Sequence, residues 1–118
     1  MIFRPATLKD VEFFYPEGIP TSVKAIVAEH NGAVLAIGGL YKAGQQMVCF
    51  SGMDDDMRRF PKQILKMARL VMQMLEKYPC VYAVASETEA TSKRFLKHFG
   101  FEPFWFSTDG EIYVWHRQ

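Results

Sequence analysis

The sequence predicts a mixed α/β (α+β) fold with an antiparallel N-terminal meander, a central parallel strand pair joined by a crossover helix, and a C-terminal hairpin. Three observations predict it. Between Val23 and Met53 three strand-like runs are separated by Asn31-Gly32 and by Lys42-Ala43-Gly44, both turn-forming. A long amphipathic stretch then lies between the Gln45–Met53 run and the apolar run Cys80–Ala85, which is the pattern of strand, helix and parallel strand. Finally, Thr108-Asp109-Gly110 divides two aromatic-rich runs and carries the Asp-Gly hairpin signal.

In chain order, Ile2–Thr7 reads as a first strand stopped by Pro5, after which Thr7 caps a short helix through Phe13, Phe14 and Tyr15. Pro16, Gly18 and Pro20 end that helix. Val23–Glu29 and Ala33–Tyr41 form a hairpin, and the Gly38-Gly39 pair in the return strand marks a bulge or a close approach by another backbone or a ligand. After Gln45–Met53 comes an acidic and basic turn, Asp54 to Arg59, and a helix opening at Phe60-Pro61 and running to Tyr78. Ile64, Met67, Ala68, Val71, Met74, Leu75 and Tyr78 share its apolar face. The methionines there read as core filling. Cys80–Ala85 reads as a central parallel strand covered on both faces. Ser86 with Glu89 forms a capping box, Gly100 ends the second long helix in a left-handed cap, and Phe101–Ser107 and Glu111–His116 are the last two strands.

A length of 118 residues fits one domain, 1–118, with one compact site. Fourteen Lys and Arg against thirteen Asp and Glu leave no overall field to hold a nucleic acid or an anionic membrane, so neither is expected as a partner. Cys49 and Cys80 sit in apolar runs without CxxC spacing or a His pair, and read as reduced core residues with no metal site, a disulfide between them being the lesser alternative. No signal core or membrane-length apolar run is present, and the expected location is the cytoplasm. A strand feeding a helix start beside Arg58, Arg59 and Lys62 suits a phosphate-bearing ligand, because first-turn N–H groups have no intrahelical partner. The plain alternative is a solvated helix start whose Asp54–Asp56 complement the helix dipole.

The run from Glu89 to Glu102, with Arg94-Phe95-Leu96-Lys97 before Phe99-Gly100-Phe101, is similar to the late helix and following strand of the GNAT acyltransferases. The order of elements also resembles that fold over nearly the whole chain, and the short N-terminal helical region resembles the small GNAT-like proteins of tailed phages. The resemblance implies an N-acetyltransferase with acetyl-CoA as co-substrate. It places the pantetheine on the backbone of Phe50, Ser51 and Gly52, the pyrophosphate on Met57, Arg58, Arg59, Phe60 and Lys62, and lines the far side with Ser92, Phe95 and Leu96. The family's phosphate loop is matched here by Arg58-Arg59-Phe60-Pro61-Lys62-Gln63, with Pro61 and Gln63 in place of its glycines, and its late-helix Tyr falls on Leu96 and its Asn on Glu89.

On this reading the chain moves an acetyl group to an amine of a small molecule or protein by direct attack. The candidate catalytic residues are Glu29 or Ser51, holding a water as base, and Ser92 or water as proton source. Glu29 and His30 also read simply as exposed hairpin residues. The alternative is a degenerate GNAT-like scaffold acting as a phage structural, assembly or protein-interaction component. There the C-terminal hairpin, with Phe104, Trp105 and Phe106, makes a homodimer or virion-protein contact, and the location is a bacterial host or the virion.

Overall fold

The computed structural model describes residues 1–18, 22–85, 90–108 and 110–118, with the side chains of 90–92 and 107 outside that description. The elements are β1 (Ile2–Pro5), α1 (Leu8–Phe14), β2 (Val23–His30), β3 (Ala33–Ala43), β4 (Gln46–Met53), a short 3₁₀ helix (Asp55–Arg59), α2 (Pro61–Leu75), β5 (Cys80–Ala85), α3 (Ala90–His98), β6 (Glu102–Ser107) and β7 (Gly110–His116). The strands form one sheet in the order β1-β2-β3-β4-β5-β7-β6. Among the described residues only β4 and β5 run parallel, and every other neighbouring pair is antiparallel.

Local chemistry explains most boundaries. The Thr7 hydroxyl oxygen accepts from the Asp10 amide, and Asp10 Oδ2 accepts from the Thr7 amide at 2.8 Å, closing a capping box at the start of α1. Asn31 at φ 51° and Gly32 at φ 81° make the two left-handed residues of the β2–β3 turn. Gly100, at φ 92°, closes α3: Phe101 N–H bonds to Leu96 O and Gly100 N–H to Lys97 O, the two bonds of a Schellman cap, with Phe101 buried behind it. The Ser86–Glu89 capping box lies outside the described residues.

Helices α2 and α3 pack on one face of the sheet. Val71 and Leu75 of α2 meet Leu40, Val81, Ala83, Ala85, Tyr113 and Trp115 in the larger core, while Met67 packs with Ala28, Ala36 and the wholly buried Met57. On the opposite face α1 sets Val11 and Phe14 against Val27, Ile37 and Phe50.

The structure corrects five details. Strand β4 starts at Gln46 and α2 ends at Leu75, three residues short of Tyr78. The charged Asp54–Arg59 turn is a 3₁₀ helix capped by Asp54, whose Oδ1 accepts from the Asp56 amide at 3.0 Å. Gly38 and Gly39 lie in unbroken register, and the β2–β3 irregularity falls at Ala28/Glu29. Close approach, the other option for that pair, explains Gly39, where a Cβ would stand 2.6 Å from Ala25 Cα and 2.8 Å from its Cβ. Finally, β5 is covered on one face only: Val81, Ala83 and Ala85 are buried, whereas Val84 is 47% exposed. Seven residues give α1 a length of about 10 Å, enough to cover part of the meander but not to extend over β5 as well.

Candidate active site

Strands β4 and β5 pair at only two positions, Val48 with Tyr82 and Cys49 with Ala83. Beyond these each strand stays with its outer neighbour, β4 with β3 as far as Met53 and β5 with β7 as far as Ala85. The two therefore diverge toward their C-terminal ends and leave a gap in the backbone of the sheet.

The ladder fixes which groups face that gap. Asp54 N–H bonds to Leu35 O at 2.8 Å, one step beyond the Met53–Ala36 pair. Bonded and non-bonded pairs alternate along an antiparallel ladder, so Gly52 and Phe50 exchange bonds with β3, while Ser51 and Met53 turn N–H and C=O toward the gap. The expectation of backbone contacts from Phe50, Ser51 and Gly52 thus narrows to Ser51, joined by Met53. From the α1 face, Tyr15 Oη donates to the Ser51 carbonyl at 3.1 Å. That contact spans 36 residues of chain and has no local signal in the sequence. Burial, and then Tyr41, push the Tyr15 phenol up and keep it protonated.

On the α2/α3 face the gap opens into an apolar cleft of about 110 Å³. Phe50, Ser51 and Gly52 contribute to its floor, Met57, Ile64 and Met67 one wall, and Phe95, Leu96 and Phe99 the other. The sequence-predicted residues Phe95 and Leu96 therefore meet Ser51 and Gly52 across one space. Cys49 also borders it, and burial pushes its thiol up to about 12, far from a reactive thiolate.

At the start of α2 the fit to a phosphate is partial. Met57 N–H is bonded to Asp54 O and Gln63 N–H to Phe60 O, while Pro61 has no N–H. Lys62, second in the helix, keeps an N–H without an intrahelical acceptor. Around it the exposed Arg58 side chain lies 3.4 Å from Asp55, Arg59 lies 5.6 Å from the ring centre of Phe60, and Lys62 is exposed. Met57 itself is wholly buried and supports this segment from within.

The carboxylate candidate stands apart from Ser51. Glu29 is held by Arg4 at 3.4 Å at the end of β2, two strands from β4, or about 10 Å at ordinary strand spacing. Ser92 belongs to α3, but its side chain is outside those described. Among the described residues, no group of His, Cys, Asp and Glu side chains gathers into a metal-binding cluster.

A mixed sheet with a splayed parallel pair, a crossover helix and an apolar cleft between two helices is the GNAT fold. The chain superposes on the ribosomal-protein-S18-alanine N-acetyltransferase of Escherichia coli with a TM-score of 0.70 and 13% identity, over 98% of this chain and 92% of that one. It matches an acetyltransferase of the GNAT family from Staphylococcus aureus Mu50 at 0.68 and 14%, over 93% and 76%. An IAA acetyltransferase from Bacillus cereus gives 0.65 and 10%, over 96% and 95%. No protein-family model and no curated protein matches the sequence.

Proposed function

We propose that residues 1–118 form a single acyltransferase domain that moves an acetyl group from acetyl-CoA to an amine. The observation that carries this reading is the β4–β5 gap, where the Ser51 N–H is turned out of the ladder into a cleft closed by apolar side chains. An open α/β sheet takes its ligand beyond the carboxyl ends of its strands, and this gap is at those ends.

In the proposed complex the pantetheine lies along Ser51 and Met53, with Phe95 and Leu96 covering it. The diphosphate rests near the Lys62 N–H, held by the side chains of Arg58, Arg59 and Lys62 in place of a glycine-built backbone cradle. An ammonium acceptor first loses one proton to a water held by Ser51 or, over a longer path, by Glu29. Its nitrogen lone pair then forms a bond to the thioester carbon, and negative charge on the carbonyl oxygen is stabilised by the Ser51 N–H. The C–S bond breaks, the nitrogen gives up a second proton, and the thiolate takes one from Ser92 or water. Amide and free CoA thiol leave. Tyr15 positions this centre, because its bond to the Ser51 carbonyl satisfies a group that β5 would otherwise have paired.

The phosphate-binding segment favours a second reading, a non-catalytic scaffold for protein interaction, since Met57 N–H is occupied and Pro61 lacks one. Acetyl-CoA binding separates the two. Tight, saturable binding by calorimetry supports the enzyme, and none supports the scaffold. No helix among the described residues is long and apolar enough to cross a membrane; the proposed location is the cytoplasm.

A further inference from the structure

The face of the sheet opposite the cleft carries a panel that the fold alone does not require. Since α1 stops over the meander, Tyr82 and Val84 of β5 have no helix above them. Phe104, displaced by the irregularity between Pro103 and Trp105, sets its ring 5.5 Å from that of Tyr82. Trp105 pairs with Ile112, which pairs with Val84, so all three point to this same side. Phe104 is 57% exposed and Trp105 67%. Across the gap stand Phe50 and Tyr15, with ring centres 5.6 Å apart. Aromatic surface thus flanks both sides of the opening through which Tyr15 reaches Ser51.

We propose that this panel receives the acceptor, and that the acceptor is an arylalkylamine: a primary amine a short aliphatic step from an aromatic ring. The inference rests on the acyl-transfer reading and adds the substrate class. The gap connects the two faces, so a thioester entering from the cleft is open to attack from the panel. Rings there offer offset or edge contacts to an aromatic substituent and a negative face to an ammonium before it loses its proton. Charge argues against a polyamine. In the Tyr82 and Val84 rows from β4 to β7, among the described residues, every side chain on this face is uncharged, and the carboxylate of Glu102 stands at the outer edge strand. Extending the parallel register puts Val84 level with Phe50, one residue before Ser51, so with strands about 4.8 Å apart and residues about 3.3 Å apart a ring seated over Val84, edged by Tyr82, Phe104 and Trp105, leaves about 6 Å to the Ser51 N–H, the reach of a two-carbon linker.

The protein reports on its own panel. Of its two tryptophans, Trp105 lies on this face, and Trp115 is 8% exposed in the core on the other. The full chain, without CoA, is titrated with 2-phenylethylamine, propylamine and spermidine while tryptophan fluorescence is followed. The expected result is a saturable change with 2-phenylethylamine at a Kd at least tenfold below those of the other two. Tyr82→Ala with Phe104→Ala should raise that Kd at least tenfold while leaving the acetyl-CoA-induced melting shift intact. Val84→Glu, on an exposed strand position, is the companion variant and should move the preference toward spermidine. No saturable response, an equal response to all three amines, or a response untouched by both variants overturns the proposal. An acetyl-CoA shift without an amine response removes the acceptor assignment alone. An amine response without an acetyl-CoA shift removes the acyl-transfer reading, and the acceptor role with it.

Discussion

Asp10→Asn tests whether the N-terminal edge of the sheet is held by charge or only by packing. Asp10 is 8% exposed and accepts from Arg4 at 2.7 Å and 3.3 Å, from the Thr7 amide at 2.8 Å and from its hydroxyl at 3.0 Å. The Arg4 bond is the main reason its carboxyl falls from the ordinary 3.8 to about 2, burial opposing and Thr7 assisting. That difference corresponds to roughly 2.5 kcal/mol, and solvent at Arg4, whose side chain is 31% exposed, trims it to about 2 kcal/mol. A carboxyl depressed in the folded state stabilises fully above its unfolded value, and that stabilisation disappears as pH falls through the folded one. Asp10→Asn should therefore lower the melting midpoint by on the order of 8 °C at pH 7. The gap between the two proteins should narrow below about pH 4 and nearly close by pH 2. Thermal and urea melts of both proteins across that range give the answer. A pH-independent difference would show that shape rather than charge is lost, and no difference at pH 7 would refute the reasoning outright.

Three further outcomes are expected. Gly39→Ala drives a methyl into β2 and should cost about 2–3 kcal/mol by urea titration, whereas Gly38→Ala meets Val71 Cγ2 at 3.1 Å and the flexible Met67 tip at 3.6 Å and should cost about 1 kcal/mol or less. Arg58→Ala with Arg59→Ala should weaken acetyl-CoA at least tenfold by calorimetry and reduce the salt dependence of binding, with a melting midpoint within about 2 °C of the parent, because both side chains are exposed. Alkylation of Cys49 in the native protein, followed by mass spectrometry, should be slow at pH 8 and still rising above pH 10; a plateau near pH 9 would contradict the desolvation of this half-buried thiol.

How far the sequence discloses this molecule depends on the range over which each feature is decided. Asn31-Gly32, Gly100 and Phe60-Pro61 act within a few residues and mark their turns and helix ends directly. The amphipathic period of α2 and the strand on either side of it likewise place the parallel pair. The gap between β4 and β5 is not written in either strand, because it depends on each keeping its outer partner. The exposed face of β5 follows from the shortness of α1, and an apolar run such as Cys80–Ala85 reads the same whether one or two faces are covered. Asp10 was outside the expected Glu or Gln of a capping box, and its contact with Arg4 is tertiary. Within the cleft, the meeting of Ser51 with Phe95 and Leu96 is anticipated only through the family resemblance, while ladder phase is what turns Ser51, rather than Phe50 and Gly52, toward the gap. Tyr15 became visible only when the fold brought it beneath β4.

The central claim is that the splayed strands and their cleft bind acetyl-CoA. Its direct measurement is a thermal melt of the purified chain with acetyl-CoA at about a hundred times its dissociation constant, beside ATP as an anion control. Binding at that level adds roughly 2.7 kcal/mol and should raise the midpoint by on the order of 10 °C, with ATP giving far less. A midpoint unmoved by acetyl-CoA over a wide concentration range, or moved equally by ATP, would contradict the account.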